Sequence, residues 1–486
     1  MSSIRARTLS GFRWSATVKL ACQVITWAIT LLVVRLLTPA DYGLLAMATV
    51  FVAFLTMFSE VGLGVAVVQT RRVDRELLRR VFGVVLVVHL ALAALLALSA
   101  PLIAAFYNEP RVEPVVRVLS IQFILAAFAV IPDAQLQRRL EFRNRSLLDL
   151  TIAIAGSCTT LALAASGAGV WALVAGSVLG QLLKTIGLNV ISPFLHWPEF
   201  SVRGMRSLLA FGGHVTAAGI FSMFFAQIDS VICAKILGNE ILGAYSVGVN
   251  IASLPNQKTA AIINAVAFPA FSSIQGDVRK VRENLLLGIR VLSFFVFPIA
   301  WGMSSVAPEI VEIVLGPKWM LAILPLQALT VIIPLRMIVN FLSVVVQARG
   351  RPDIILRNAV WAAVLGPPIL FAGAYIWGLA GLSFSWLLLS PLLVSFIVIR
   401  SGPVLELHPL QILAAMRTPA IAAAAMYAAV VAARQFVHGG DTRLVQLVVL
   451  VVVGAAVYSV VSLLISRKRA LEVLAFLQGI AVSRVA

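Results

Sequence analysis

Residues 81–106 read VFGVVLVVHLALAALLALSAPLIAAF, a run that contains no Asp, Glu, Lys or Arg. A transmembrane helix needs about 20 mostly apolar residues, because each residue adds about 1.5 Å along a hydrocarbon core about 30 Å thick. The same character extends along the 486-residue chain, in which 61% of residues are hydrophobic and 12% are charged. The mean hydropathy is +1.01. The sequence therefore predicts one integral membrane unit without a separate soluble domain.

The chain contains fourteen mainly apolar stretches in total, including this one. The expected fold class is an all-α integral membrane protein with about 14 transmembrane helices. The first stretch extends to Leu37 and lacks a small-residue cleavage site, so it predicts a retained helix and not a signal peptide. The predicted spans cover roughly residues 12–37, 42–69, 81–106, 115–134, 147–166, 169–192, 208–237, 242–271, 285–314, 320–347, 354–377, 379–400, 412–433 and 444–466.

The formal net charge of +18 comes from basic residues in short loops between these spans. Arg and Lys are concentrated in residues 71–80, 138–145, 203–206, 279–282 and 349–357, whereas the intervening loops hold few. Cytoplasmic loops carry such an excess of positive charge, so the alternation predicts that both termini are cytoplasmic. Anionic membrane lipids account for this charge, and nucleic acid is not an expected partner.

A short sequence pattern occurs twice, 200 residues apart. Arg35-Leu36-Leu37-Thr38 precedes Gly43, and Lys235-Ile236-Leu237-Gly238 precedes Gly243. Each copy ends one predicted span, crosses a short outer loop and begins the next span. Repeated halves are common in secondary transporters, with the binding site at their interface. Chance similarity between apolar segments is the alternative.

Two cations lie near the middle of their spans. Lys258 and Arg336 are each more than about 15 Å from either end of the predicted helix. Arg35 and Lys235 lie near helix ends, where long side chains reach the headgroups. A charge at the bilayer centre costs about 2.5–3.5 kcal/mol on insertion scales, so it usually faces a hydrated interior. The central cations therefore indicate a transport pathway.

Polar residues accompany the central cations at helical spacing, which places them on one face of each helix. Such faces predict a common hydrated cavity. The alternative is hydrogen bonding between helices, which contributes about 0.6 kcal/mol per bond and requires no binding function. The candidate substrate-binding residues on these faces are Lys19, Gln23, Thr26, Asn250, Gln257, Lys258, Arg336 and Asn340.

Glu60 and Asp229 are acidic residues on the same kind of face, and two interpretations stay open for them. They pair with cations of the cavity, which makes buried charge tolerable, or they bind the proton or sodium ion that drives transport. No catalytic residue, metal site or cofactor is predicted. The sequence has no P-loop, GxSxG or HExxH motif, and its five histidines have no metal-ligand spacing.

The segment RLLTPADYGLLA at residues 35–46 resembles a stretch near the first helix of bacterial polysaccharide flippases. So do Glu60-Val-Gly-Leu-Gly with Gln69, and Asp229 with GAYS at 243–246. These flippases belong to the multidrug/oligosaccharidyl-lipid/polysaccharide exporter superfamily. The resemblance implies two six-helix lobes around a central cavity, plus two C-terminal helices. The corresponding ranges are an N-lobe at 1–192, a cytoplasmic linker at 193–207, a C-lobe at 208–400, helices 13 and 14 at 401–466 and a cytoplasmic amphipathic tail at 467–486.

The resemblance also implies a function. The expected substrate is an oligosaccharide linked to undecaprenyl pyrophosphate, moved by alternating access from the inner to the outer leaflet of the bacterial plasma membrane. Related lipid flippases use cavity cations for the pyrophosphate, and Lys19 and Lys258 are the matching positions here. Arg336, the other central cation, is expected to hold the phosphates with them. The product would supply exopolysaccharide or lipopolysaccharide synthesis, with the polysaccharide polymerase and export machinery as candidate partners.

Other functions remain open. A lipid II flippase and a multidrug exporter belong to the same superfamily, although multidrug exporters usually have acidic cavities. A polysaccharide polymerase is disfavoured because such glycosyltransferases usually need a long outer loop. A non-catalytic membrane scaffold is the remaining alternative.

Overall fold

The computed structural model describes residues 23, 25–59, 74–139, 141–194, 196–201, 206–436 and 443–477. Side chains are described for these residues except 142–143, 206–222, 258, 260–262, 264–266 and 466–477. The regular structure in the described residues is helical throughout. The predicted all-α membrane fold is thus confirmed.

The first half of the chain forms helices whose ends are set by local chemistry. Asp74 begins the third helix, because its carboxylate accepts a hydrogen bond from the Leu77 amide at 2.8 Å. Asn108 ends that helix in the left-handed conformation, with φ 56°. The helices are α1 (Ile25–Leu36), α2 (Pro39–Ser59), α3 (Arg75–Tyr107), α4 (Val112–Ala127), α5 (Val130–Arg138), α6 (Phe142–Ala165) and α7 (Val170–Ile191).

The predicted span 115–134 is broken in the structure. Its two parts, α4 and α5, meet at an angle of 45°. Pro132 has no amide hydrogen and cannot bond the Phe128 carbonyl four residues earlier. Asn189 of α7 donates to that carbonyl instead, with Nδ2 to O 2.9 Å. A proline and an amide from a neighbouring helix therefore fix the bend.

Two long helical segments in the second half are interrupted by glycine. Gly238, with φ 84°, divides Arg206–Ser273 into α8 (206–237) and α9 (239–273). Gly378, with φ 59°, and Trp377 divide Pro352–Leu405 into α13 (352–376) and α14 (379–405). The remaining helices are α10 (Val278–Ser305), α11 (Ala307–Ile310), α12 (Ile323–Ala348), α15 (Pro409–Arg434) and α16 (Arg443–Leu477), with a π-helical turn at Val311–Leu315 and a 3-10 turn at Pro317–Ala322 before α12.

Among the described residues, nine helical segments are long and apolar enough to cross a membrane, with α13 and α14 counted together as Pro352–Leu405. The number is ten if the bent pair α4–α5 forms one span. The predicted number of fourteen is therefore not confirmed. The chain divides into two compact units, Met1–Gly243 and Ala244–Ala486. The predicted lobes at 1–192 and 208–400 stay a prediction.

In the first unit, the predicted outer and inner loops lie at different ends. At one end, a Cβ at Gly169 would lie 2.9 Å from the Asp41 carboxylate, and Lys235 donates to the Phe106 carbonyl. At the other end, Arg80 pairs with Glu199 at 3.0 Å. This arrangement is consistent with the predicted alternation of outer and inner loops along the chain.

The second unit separates its loops in the same way. Arg434 pairs with Glu309 near the turn that follows α10, with Nε to Oε1 2.6 Å. At the opposite end, Arg282 donates to the Glu406 carbonyl at 3.1 Å. Between them, Leu285, Ile289, Leu342, Val345 and Ala422 are fully or almost fully buried in one apolar core.

Candidate functional site

Arg336 lies midway along α12, about 18 Å from the nearer end of the helix. Its Cζ atom is 4.1 Å from the ring centroid of Trp386 on α14, which is the distance of a cation–π contact. Trp386 Nε1 donates a hydrogen bond to the Tyr245 hydroxyl on α9 at 3.1 Å. Trp386 and Tyr245 are buried, and Arg336 is half-buried. The indole therefore holds one face of a guanidinium at membrane depth.

A pair of amides lies one helical turn from Arg336. Asn340 Nδ2 donates to Asn256 Oδ1 on α9 at 3.1 Å. Arg336 and Asn340 are four residues apart, so they share a face of α12. The structure thus joins two predicted site residues to side chains of α9 and α14. Arg336, Asn340, Asn256, Trp386 and Tyr245 are called the arginine cluster below.

Side chains are described for part of the predicted polar face of α9. Gln257 Nε2 donates to Ser253 Oγ at 3.0 Å, and Ser253 Oγ donates to the Asn250 carbonyl at 3.0 Å. Asn250 and Gln257 are exposed, whereas Ser253 is half-buried. An apolar helix therefore presents amide groups over two turns, and such groups can hydrogen-bond sugar hydroxyls.

The candidates of the first unit have different surroundings. Gln23 and Thr26 are half-buried, and the Thr26 carbonyl accepts a hydrogen bond from Thr30 Oγ1 at 2.7 Å. Asp229 of α8 is only 6% exposed, and its Oδ1 accepts from the Ser230 amide at 2.7 Å. Asp229 is thus a buried carboxyl group at membrane depth, and both interpretations of it stay open.

A groove of about 480 Å³ lies between α2, α3 and α8 of the first unit. Its walls are almost entirely apolar, and Ser99 and Gln227 are the polar residues among them. The apolar part includes Phe51, Phe54 and Phe224. Such walls suit hydrocarbon and offer no cation for a phosphate.

The structure describes no side-chain contacts for three of the predicted site residues. Lys19 and Glu60 lie outside the described residues, and Lys258 lies on α9 with its side chain outside the description. Within the described part of the chain, no three His, Cys, Asp or Glu side chains are grouped so that they could hold a metal ion. The roles of Lys19, Glu60 and Lys258 stay predictions.

Sequence reasoning missed Trp386 and Asn256. Neither contact follows from helical periodicity, because each joins residues that are more than 45 positions apart in the chain. One signal was present: an arginine in the middle of an apolar span needs a partner that makes its burial tolerable, and tryptophan is the best aromatic one.

The chain is similar in sequence to proteins of polysaccharide synthesis. The family model described as "Polysaccharide biosynthesis protein" matches residues 32–324. The lipopolysaccharide biosynthesis protein WzxC of Escherichia coli is 27% identical over 82% of both chains. The teichuronic acid biosynthesis protein TuaB of Bacillus subtilis is 25% identical over 73% of this chain and 74% of its own length.

Two solved structures have a similar fold. The lipid II flippase MurJ, in an inward closed conformation, aligns with a TM-score of 0.77 and 13% identity, covering 94% of this chain and 99% of its own. An inward-facing multidrug transporter of the MATE family aligns with a TM-score of 0.62 and 15% identity, covering 79% of this chain and 94% of its own. The matched segment is more than half of the chain, so this multi-pass membrane protein belongs to the polysaccharide biosynthesis protein family, as the segment at 35–46 indicated.

Proposed function

We propose that this protein is a flippase for oligosaccharides linked to undecaprenyl pyrophosphate. It moves them from the inner to the outer leaflet of the bacterial plasma membrane by alternating access, with both termini in the cytoplasm. The relatives named for polysaccharide synthesis support the class of cargo, and one of them, ExoT of Rhizobium meliloti, is named as a succinoglycan biosynthesis transport protein. It is a transporter and not an enzyme.

The arginine cluster is the main structural support for this proposal. A pyrophosphate needs cations, and a guanidinium binds phosphate oxygens through two parallel N–H groups. Arg336 stacks on Trp386, which fixes the plane of its guanidinium. The Asn340–Asn256 pair one turn away can bond a sugar hydroxyl or a phosphate oxygen. Together they provide one cationic and one amide position on neighbouring helices.

The other predicted residues complete the proposed path. Lys19 and Lys258 supply further positive charge for the phosphates, while Gln23, Thr26, Asn250 and Gln257 bind the sugar. Glu60 and Asp229 pair with these cations or bind the coupling ion. An inside-negative potential favours outward movement of an anion by about 2.3 kcal/mol per charge per 100 mV. Membrane lipids surround the chain, and a polymerase and the export machinery would receive its product.

Replacing the cluster's cation tests the function. Arg336→Ala should lower polysaccharide export about tenfold or more in a deletion strain, because a hydrogen bond to a charged group contributes about 1.5–3 kcal/mol. Lipid-linked oligosaccharide should accumulate on the inner leaflet. Arg336→Lys should recover part of the export, since it keeps the charge but loses the planar fork.

Arg400 offers a matched control. Its guanidinium also stacks on aromatic rings, with Cζ 5.8 Å from Trp361 and 5.6 Å from Phe396, but it lies near the end of α14, away from the cluster. Arg400→Ala should leave export unchanged at equal protein level. Normal export in Arg336→Ala would refute the assignment, and accumulation of lipid II in its place would favour the lipid II alternative.

A further inference from the structure

The starts of α2 and α9 cross in the first unit through their backbones. A Cβ at Gly43 would lie 1.7 Å from the carbonyl oxygen of Asn239. A Cβ at Gly243 would lie 1.7 Å from the carbonyl oxygen of Pro39 and 2.9 Å from the Gly43 nitrogen. Both glycines are buried. Each glycine, one turn into its own helix, therefore touches the first residue of the other helix.

The contact is reciprocal. Residues 39 and 239, and residues 43 and 243, are the same pairs that the 200-residue sequence repeat places in register. Only glycine lets two helix backbones approach so closely, because any Cβ would overlap the opposite carbonyl. The three heavy atoms nearest to each hypothetical Cβ are backbone atoms, so the closest approach at both glycines is between backbones.

Both helices begin directly after a sharp change of chain direction. Gly238 has φ 84° and ψ 179° just before α9. Before α2, the Asp41 carboxylate accepts hydrogen bonds from the Thr38 amide at 3.0 Å and from Thr38 Oγ1 at 2.7 Å. A few residues at a helix start can absorb the backbone rotation that a hinge needs. The two starts can thus turn relative to the helices that precede them.

The next turn of α2 after this crossing is buried. Met47 follows Gly43 by four residues on the same face and is 1% exposed. The crossing lies at the end of the unit where Asp41 approaches Gly169, which the loop charges assign to the outer side. In the observed conformation, Met47 is buried one turn below the glycine crossing.

We propose that the Gly43–Gly243 crossing is the outer gate of the transport cycle. The contact is closed in the observed conformation and separates when cargo leaves toward the outer leaflet. This inference rests on the proposed flippase function, but its test does not use polysaccharide. Any side chain at either glycine should prevent closure, because its Cβ meets a backbone oxygen and not a flexible side chain.

The test measures access to position 47 from outside. Met47→Cys is placed in a chain whose Cys22, Cys158 and Cys233 are replaced by serine, and a membrane-impermeant maleimide is added to spheroplasts. Gly43→Leu or Gly243→Leu should raise the labelling rate about tenfold, as a population shift of about 1.4 kcal/mol toward the open state would. Gly276→Leu is the matched control, because a Cβ there meets nothing within 4 Å.

Each outcome decides the proposal. Faster labelling in both glycine variants, with the control unchanged, supports the gate whatever the cargo is. Unchanged labelling in folded variants overturns it, even if polysaccharide export is lost. If the leucine variants fail to reach the membrane, Gly43→Ala and Gly243→Ala are measured in the same way, because the Cβ alone already overlaps. Failure of these variants to fold would show a fixed packing contact and would also overturn the gate.

Discussion

Arg434 and Glu309 form a largely buried ion pair in the second unit. Arg434 Nε lies 2.6 Å from Glu309 Oε1, and Nη2 lies 2.9 Å from Oε2, so the pair is bidentate. The Glu309 side chain is 7% exposed and that of Arg434 is 24% exposed. Removing one partner of such a pair leaves the other charge desolvated without compensation. The pair therefore fixes the end of α15 to the turn after α10.

Glu309→Gln should destabilise the protein by about 2 kcal/mol, less than the 3–5 kcal/mol seen for fully buried pairs because Arg434 retains some solvent contact. Thermal unfolding in detergent micelles measures the effect. Glu312→Gln is the control, since its partner Arg443 is 66% exposed, and its loss should cost less than about 1 kcal/mol. Equal destabilisation by both variants would contradict the argument.

At the scale of elements, α13 and α14 form a hairpin whose helices touch through glycine. A Cβ at Gly381 would lie 1.9 Å from the Gly373 carbonyl oxygen, and one at Gly373 would lie 2.6 Å from the Gly381 carbonyl oxygen. Gly378 makes the turn between the helices with φ 59°. Close approach of backbones replaces the hydrophobic effect as the source of helix association within lipid.

Gly381→Val should separate the two helices and destabilise the protein by about 3 kcal/mol, the upper end of the cost of overpacking, because a backbone oxygen cannot move aside. The amount of folded protein in the membrane and its unfolding temperature measure this effect. Gly302→Ala on α10 is the control, because its Cβ would lie 3.6 Å from the flexible Met426 side chain. Tolerance of both substitutions would show that the hairpin packs differently.

At the scale of the whole molecule, the prediction concerns membrane topology, that is, the side of the membrane on which each loop lies. Arg111→Cys lies in a predicted outer loop, and Ser166→Cys lies at the outer end of the predicted span 147–166. Gly276→Cys and Lys280→Cys occupy a predicted inner loop. In a chain without its three native cysteines, an impermeant maleimide should label the first two on intact spheroplasts. The other two should react only after permeabilisation, because cytoplasmic loops carry the positive charge. Labelling of either inner position on intact spheroplasts would contradict the topology.

The sequence predicted the positions of most helices, but it did not predict bends or contacts between helices. Apolar length predicted α7 to α9 and α12 to α15 to within a few residues, because the bilayer selects spans by local composition. It did not predict the bend between α4 and α5, where Asn189 of another helix takes the carbonyl that Pro132 leaves free. The helical spacing predicted that Arg336 and Asn340 share one face of their helix. It did not predict their partners on α9 and α14.

The sequence by itself determined that this chain is an all-α membrane protein, through the length of its apolar runs and the alternation of charge between its loops. Those properties are local, and water and lipid act on each segment separately. The tertiary structure alone decided that Arg336 stacks on Trp386 and that Gly43 meets Asn239. Such contacts depend on how helices distant in the chain approach one another, which hydropathy does not encode because lipid is as apolar as the side chains that face it.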